Sequence, residues 1–381
     1  MMKDCTEHVK TVIRERAGGS MQDTSAEDNS GVMELDLNTP IVLPDEDLFV
    51  PASTSEARIT PSPFPEMILG SEPSEQTILI TGGTGTFGHA FVPVALERYK
   101  KVVVLSRDEL KQAQMQAEFP DVRFYLGDVR DKDRLIRAFR EVDVVVHAAA
   151  YKRIERSALD IGSFLDVNVI GTRNVLMAAH DCGVSKVVVL SSDKACSSAT
   201  PYGATKSLAE WLAINANVYG NCRSMATRYG NVECSRGSVS EIWEQRAKSG
   251  LPLQITHPLM SRFWMSIEEA VNLVLFALDN GRGGEVFIPK NIRRGKIVDF
   301  ARKVQPGAEI EFIGKRGYEK LTEELVSAEE VDRLVDVGDA YVLLPHREFV
   351  RWAPLPYGMC EWEGQKVDPS FRYRSDADVD I

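Results

Sequence analysis

Five short runs rich in β-branched residues, TILIT (77–81), KVVVLS (101–106), VRFYLGD (122–128), VDVVVHAA (142–149) and KVVVLSS (186–192), alternate with helical stretches such as Leu110–Phe119 and Lys132–Arg140. Runs this apolar have no polar face to give to water, so both faces of the sheet they form must be covered. Strand-helix alternation then predicts a doubly wound, parallel α/β sheet. The chain has 381 residues, of which 44% are hydrophobic, enough for a large core. No run of about 18 apolar residues and no charged-then-apolar leader at MMKDCTEHVK is found, so no membrane span or secretory peptide is expected, and a cytoplasmic protein is. The 6 cysteines are scattered without a CxxC pair, which argues against a zinc site or a disulfide framework.

The formal net charge of −11 is unevenly spread: residues 1–76 hold 15 acidic and 5 basic side chains, so −10 of it lies there. That segment is also rich in Ser, Pro and Thr and is expected to be a largely disordered extension, with a short helix possible over His8 to Arg16 and an apolar island at Leu48–Val50 suited to docking on a neighbouring subunit. The remainder is close to neutral, which excludes nucleic acid as a partner of the main body. A catalytic domain over 77–345, mainly cofactor-binding to 230 and substrate-binding beyond it, and a tail over 346–381 complete the expected organisation.

The first strand runs into Gly82-Gly83-Thr84-Gly85-Thr86-Phe87-Gly88 and then a helical stretch. A strand before and a helix after are the context that makes this spacing a dinucleotide turn: Gly82 and Gly85 let the backbone approach a pyrophosphate, and Gly88 lets helix pack on strand. At the end of the second strand, Ser106-Arg107 suits a 2′-phosphate and favours NADP, while Asp108 keeps NAD open. Asp128 and Val129 close the third strand near the expected adenine edge, and Ala148, Ala149 and Ala150 offer small side chains for close passage of the cofactor.

The fifth strand delivers Ser191-Ser192-Asp193-Lys194, followed by Tyr202 and Lys206. Tyrosine and lysine four apart share a helix face, where an ammonium can lower the phenol pKa and make it a base toward a sugar hydroxyl. His147 and His257 read as structural, and Trp243, Trp264 and EEAVNLVL as core packing.

In order along the chain, TGGTGTFG, SRDELKQ, GDVRD, HAAAYK, NVIGT, SDKA, YGATK, RYGNV, SRGSV, RFWMSIEEAVNLVL, GGEVFIPK and GKRGYEKLTEEL resemble the extended short-chain dehydrogenase/reductases. Within these, the chain is similar to the soluble, C5-inverting (PseB-type) UDP-N-acetylglucosamine 4,6-dehydratases. The resemblance spans about 77–345, with a similar ending at RYRSDADVDI, and leaves the extension uncovered.

It implies a redox-neutral dehydration with tightly held NADP. Tyr202 would deprotonate the C4 hydroxyl as hydride moves to the cofactor, Lys194 would remove the C5 proton, and Asp193 would protonate the departing C6 hydroxyl. Ser192 would stand by the C4 oxygen, and Lys206 would hold the nicotinamide ribose. The Asp193-Lys194 couple separates this group from dTDP-glucose dehydratases, which carry Asp-Glu, and from simple 4-epimerases, which lack the couple. The resemblance further places Lys152, Arg228, Asn231, Arg236, Gly237 and Arg262 near the nucleotide sugar and Arg316 and Glu319 at its uridine end, and it implies a homo-oligomer. The chain departs from the pattern at Ser192, where the family has Thr, at Ser197-Ser198, where it has Asn-Pro, and along RIERSALDIGSF after Lys152. A related epimerase, a dehydratase of other regiochemistry or a non-catalytic NADP-binding protein are the alternatives.

Overall fold

The foreseen runs become β1 (Ser74–Thr81), β2 (Tyr99–Ser106), β3 (Arg123–Leu126), β4 (Val144–His147) and β5 (Lys186–Leu190), and they are joined by β6 (Arg223–Thr227). These elements come from a computed structural model that describes residues 74–346 other than 221, 234 and 236, together with 362 and 364–377. The chain divides into units 1–59 and 60–381, and all described residues lie in the second. The expected disorder of the extension, its helix over His8 to Arg16 and the Leu48–Val50 island lie outside the described residues, as does Arg236.

Parallel pairing sets the order β3-β2-β1-β4-β5-β6. Beyond β6 the smaller second half adds β7 (Asn231–Val232), β8 (Leu253–Ile255), β9 (Ser261–Met265), β10 (Val286–Pro289), β11 (Arg293–Lys296), β12 (Ile310–Phe312), β13 (Glu324–Val326), β14 (Leu334–Asp336) and β15 (Ala340–Leu343). The C-terminal residues add β16 (Gln365–Lys366) and β17 (Tyr373–Arg374). Strand β10 extends the main sheet in parallel, and β15, β14 and β16 close it antiparallel. A three-stranded sheet, β11-β9-β7, and the pairs β12-β8 and β13-β17 stand beside it.

Nine helices among the described residues matter for position: α1 (Thr86–Arg98), α2 (Glu109–Glu118), α3 (Lys132–Ala138), α4 (Ile154–Leu159), α5 (Gly171–Asp181), α6 (Pro201–Ala216), α7 (Val239–Lys248), α8 (Ile267–Asn280) and α9 (Ile297–Val304). Leu79, Leu105, Val145 and Val187 pack under α3, α5 and α6, while Ile78, Ile80, Val104, Val146 and Val188 pack under α1 and α8. Alternate residues of each strand thus enter opposite cores, which is why the strands carry no polar alternation. The α8 stripe is buried as expected, and its start is fixed by a capping box in which Ser266 and Glu269 satisfy each other's backbone amides. Trp243 and Trp264 lie in a third core with Phe300, Leu253 and Ile255. Among the described residues no helix is long and apolar enough to cross a membrane.

The strand order reverses between β1 and β4, and the crevice outside the carboxyl ends of strands at such a switch point is where α/β sheets take ligands.

Candidate active site

At that crevice the glycine turn connects β1 to α1. Gly82 has φ +67°, and a Cβ there would fall 2.7 Å from Ala149 Cα; a Cβ on Gly88 would fall 1.9 Å from the Gly83 carbonyl oxygen. Neither position accepts a side chain, so the turn lies hard against Ala148-Ala149 and α1 hard against the turn. The α1 N-cap is Gly85, which has no side chain with which to cap the helix start. Uncapped amides at a helix N-terminus suit an anion, so the turn fits a dinucleotide pyrophosphate. Thr84 is buried in the turn, and Phe87 stacks on Phe91 at 5.3 Å.

Arg107, at the end of β2, is half-exposed; its Nη1 donates to the Tyr151 hydroxyl at 2.9 Å and stands 3.5 Å from the Asp128 carboxylate. Asp128 also takes two hydrogen bonds from the Arg130 guanidinium, at 3.0 and 2.8 Å. Val129 is buried, with Gly171 pressed against it. Two expectations change here. Ser106 is turned into the fold, where its hydroxyl accepts from Gln112 Nε2 at 3.0 Å, because a buried hydroxyl at the strand end needs a partner. Asp108 caps α2 through the Lys111 amide at 3.0 Å and pairs with the Lys111 ammonium at 3.1 Å, so the acid that kept NAD open is engaged.

At the end of β5, Ser192 caps a one-turn 3₁₀ helix, Asp193–Ala195, and its hydroxyl donates to Asp193 Oδ1 at 2.7 Å. Asp193 is fully buried, and Oδ1 also accepts from the Lys194 ammonium at 2.9 Å, while Oδ2 has no hydrogen bond. Lys194 Nζ donates in addition to Asn231 Oδ1 at 2.9 Å, so β7 orients the lysine.

Tyr202 lies in the first turn of α6 and is 8% exposed. Burial pushes its phenol upward, the Asp193 charge pushes it further, and a hydrogen bond with Ser192 opposes both. The expected help from Lys206 is not seen: its ammonium turns to the Leu190 carbonyl, and burial lowers it to about 8. A buried ammonium takes the nearest strong acceptor, which here is the last carbonyl of β5.

Behind Tyr202 lies a chain of partners that the sequence did not single out. Thr205 Oγ1 donates to the Tyr202 carbonyl at 2.7 Å, and Asn168 Nδ2 donates to Thr205 Oγ1 at 3.0 Å. Asn168 sits in a π-helical turn, Leu165–Ile170, and also holds the Tyr151 backbone on both sides. His147 is structural as read, fully buried between Thr81 and Thr172, and burial followed by the Lys206 charge lowers it to about 3. Ser197, standing where the family has Asn, adopts φ +45°, a left-handed conformation that Asn tolerates better; its hydroxyl is held by Glu324 at 2.7 Å.

A cleft beside Lys194 is lined by Ile154, Thr200, Arg262, Tyr318, Glu319 and Glu323. It gathers Lys194, Arg262 and Glu319 of the expected set. Arg316 stands at its rim, 3.2 Å from Glu155, with its amide held by Glu319 at 3.0 Å. Lys152 is exposed after β4, and Gly237 (φ +71°) leads into α7 with its amide held by Glu241. Arg228, expected at the nucleotide sugar, is instead 3% exposed within the fold. Its guanidinium is taken up by Glu210 (2.6 and 3.0 Å), Glu330 (both at 2.9 Å) and the Leu325 carbonyl (2.9 Å). All its donors face protein acceptors, which leaves it a structural role.

A dinucleotide turn at the switch point, an acid-base couple at the end of β5, and a buried tyrosine on the same face of α6 as Lys206 define an extended short-chain dehydrogenase/reductase. Residues 78–345 match the model of a family described as polysaccharide biosynthesis protein, and the chain belongs to that family. It is 41% identical to a UDP-N-acetylglucosamine 4,6-dehydratase (inverting) of Campylobacter jejuni over 312 residues, 80% of this chain and 93% of that one. It is also 41% identical to a UDP-glucose 4-epimerase of Rickettsia canadensis, over 70% of this chain and 82% of that one. Among solved structures it is similar to Pen from Bacillus thuringiensis, with a TM-score of 0.72 and 32% identity over 79% of this chain and 93% of that one.

Proposed function

We propose that this chain is an NADP-dependent UDP-N-acetylglucosamine 4,6-dehydratase that inverts C5. The observation that carries the reading is the Asp193-Lys194 couple, joined at 2.9 Å with Asp193 Oδ2 buried and unbonded. An epimerase only oxidises and reduces C4 and has no elimination for such a pair to perform; a binding protein has no proton to move at all.

Gly82, Thr84, Gly85, Thr86, Phe87 and Gly88 would hold the pyrophosphate region of a nicotinamide dinucleotide, with Arg107 at the adenosine end and Lys206 at the nicotinamide ribose. Bound there, the cofactor would accept hydride from C4 of the sugar and return it to C6, leaving the reaction redox-neutral. The chain's own residues move the protons. Transfer of one proton within the Lys194–Asp193 ion pair gives a neutral amine beside a neutral acid, and it removes the charge that holds the Tyr202 proton in place. With that charge gone, Tyr202 can release its phenol proton to solvent, and the phenolate, hydrogen-bonded to Ser192, takes the C4 hydroxyl proton. Lys194 takes the C5 proton, acidified by the C4 ketone, and Asp193 gives its proton to the C6 hydroxyl. The C5 proton and the C6 hydroxyl depart, water forms, and the Lys194–Asp193 ion pair is restored; the return of hydride to C6 is matched by a solvent-derived proton reaching C5 on the opposite face, which inverts that centre. Arg262 and Arg316 supply positive charge for the diphosphate and uridine end, with Asn231 beside the lysine.

Incubation with UDP-N-acetylglucosamine in deuterated water, followed by NMR, is expected to yield a 4-keto-6-deoxy sugar with deuterium at C5. Clean C4 epimerisation with the C6 oxygen retained would reject the reading. For the cofactor, Arg107→Ala is expected to weaken NADPH binding by about 10–100-fold, the worth of a charged hydrogen bond, with NADH little affected. An unchanged NADPH-to-NADH affinity ratio in fluorescence titrations would remove Arg107 from the cofactor site. The reading carries with it a cytoplasmic homo-oligomer, for which the exposed Leu159, Ile161 and Leu208 are apolar surface available to a second copy.

A further inference from the structure

A second buried carboxylate, Glu323, lines the cleft beside Lys194. Its side chain is 4% exposed, and Oε1 lies 3.9 Å from the Lys194 ammonium and 4.0 Å from Arg262 Nε. Lys320 forms an ion pair with Oε2 at 3.3 Å, and its ammonium also donates to the Cys196 carbonyl at 2.9 Å. Glu323 lines the cleft together with Lys194 and Arg262, and its Oε2 is a buried oxygen with no hydrogen bond. Such an oxygen is costly to leave unmade in a folded protein unless something else completes it.

The backbone of Glu323 is held from the far end of the chain. Its amide donates to Ser375 Oγ at 2.9 Å, and its carbonyl accepts from the Ser375 amide at 2.9 Å. Ser375 Oγ lies 2.8 Å from Ser261 Oγ, and the Ser261 carbonyl accepts from Arg262 Nη1 at 2.7 Å. Pairing of β17 with β13 brings Ser375 to this point. One fully buried serine thus sets Glu323 and, through Ser261, is tied to Arg262.

Resting on the nucleotide-sugar reading above, we propose that Glu323 is a substrate-binding residue whose Oε2 accepts a hydrogen bond from the sugar moiety, and that the C-terminal strand β17 completes this site by fixing its backbone. The sugar, rather than the diphosphate, is the partner, since a carboxylate repels phosphate. Glu323 also offsets part of the positive charge of Lys194, Lys320 and Arg262, so its removal leaves the cleft no less attractive to a diphosphate.

That opposition gives the test. Calorimetric titration of the full chain with UDP-N-acetylglucosamine and with UDP should show Glu323→Ala losing affinity for the sugar nucleotide by about 10-fold or more while UDP binds as before or more tightly. Glu323→Gln, the same size and still holding an acceptor oxygen, should fold as the parent does and lose less. Ser375→Ala should shift the same ratio in the same direction by a few-fold. An equal loss for both ligands in a Glu323→Gln protein with unchanged thermal midpoint, or no loss for either in Glu323→Ala, would overturn the assignment. A parent protein that binds UDP but neither binds nor turns over UDP-N-acetylglucosamine would overturn the functional reading, and this assignment with it.

Discussion

Lys194→Ala is expected to abolish dehydration, by a factor of about 10²–10⁴, while leaving the fold and the affinity for the nucleotide sugar largely intact. The lysine is 13% exposed on its side chain, and its ammonium is committed to Asp193 and Asn231. Methyl at this position removes the group that would take the C5 proton, yet leaves Tyr202, Ser192 and the glycine turn in place. It also leaves the fully buried Asp193 carboxylate without its ammonium partner. No base would then reach C5. The distinguishing readout is isotopic: deuterium incorporation at C5 should fall in step with product formation. Exchange at the parent rate in a variant that no longer eliminates would show that another group is the base and that Lys194 serves only to hold Asp193.

Much of the parallel sheet was legible because fully buried strands leave an unmistakable text. The runs at 77–81, 101–106 and 186–192 have no polar alternation to confuse with a half-exposed strand, and glycine at 82 and 88 marks a turn that no other residue fits. Local chemistry was legible for the same reason: Ser192, Asp193, Lys194 and Tyr202 are close in sequence and were brought together by one strand end and one helix turn. What stayed hidden depends on long-range placement. Ser375 reaches Glu323 across 52 residues, and nothing local in either segment announces it. The resemblance puts Arg228 at the nucleotide sugar, where an arginine fork suits a diphosphate. Only the fold shows that Glu210, one helix away, and Glu330, from the loop after β13, already fill it. Ser106 and Asp108 show the same dependence on the fold, since a hydroxyl and an acid at a strand end serve a buried partner or a helix cap as readily as a ribose.

Replacing Arg228 by Ala is accordingly expected to destabilise the protein rather than to weaken substrate binding. The guanidinium is 3% exposed between two glutamates, Glu210 at 2.6 Å and Glu330 at 2.9 Å. Removing it leaves two carboxylates facing each other in a buried site, a loss of about 3–5 kcal/mol when one partner of a buried ion pair is deleted. For a domain of this size that lowers the thermal midpoint by on the order of 10 °C. The effect should depend on pH with a definite sign. Burial raises the Glu330 carboxyl, but the Arg228 charge and hydrogen bonds outweigh it and hold the group below the usual glutamate value. A depressed carboxyl contributes stability that is present above its unfolded pKa, about 4.3, and is lost as pH falls through the folded value. In the variant Glu330 loses the cation that contributes most to keeping it ionised, only the weaker effect of Arg333 remaining, and its protonation relieves the repulsion with Glu210. The gap in thermal midpoint between parent and variant, measured by calorimetry, should therefore be wide at pH 7 and narrow toward pH 4. A variant of parental stability whose affinity for UDP-N-acetylglucosamine has fallen would return Arg228 to the substrate site.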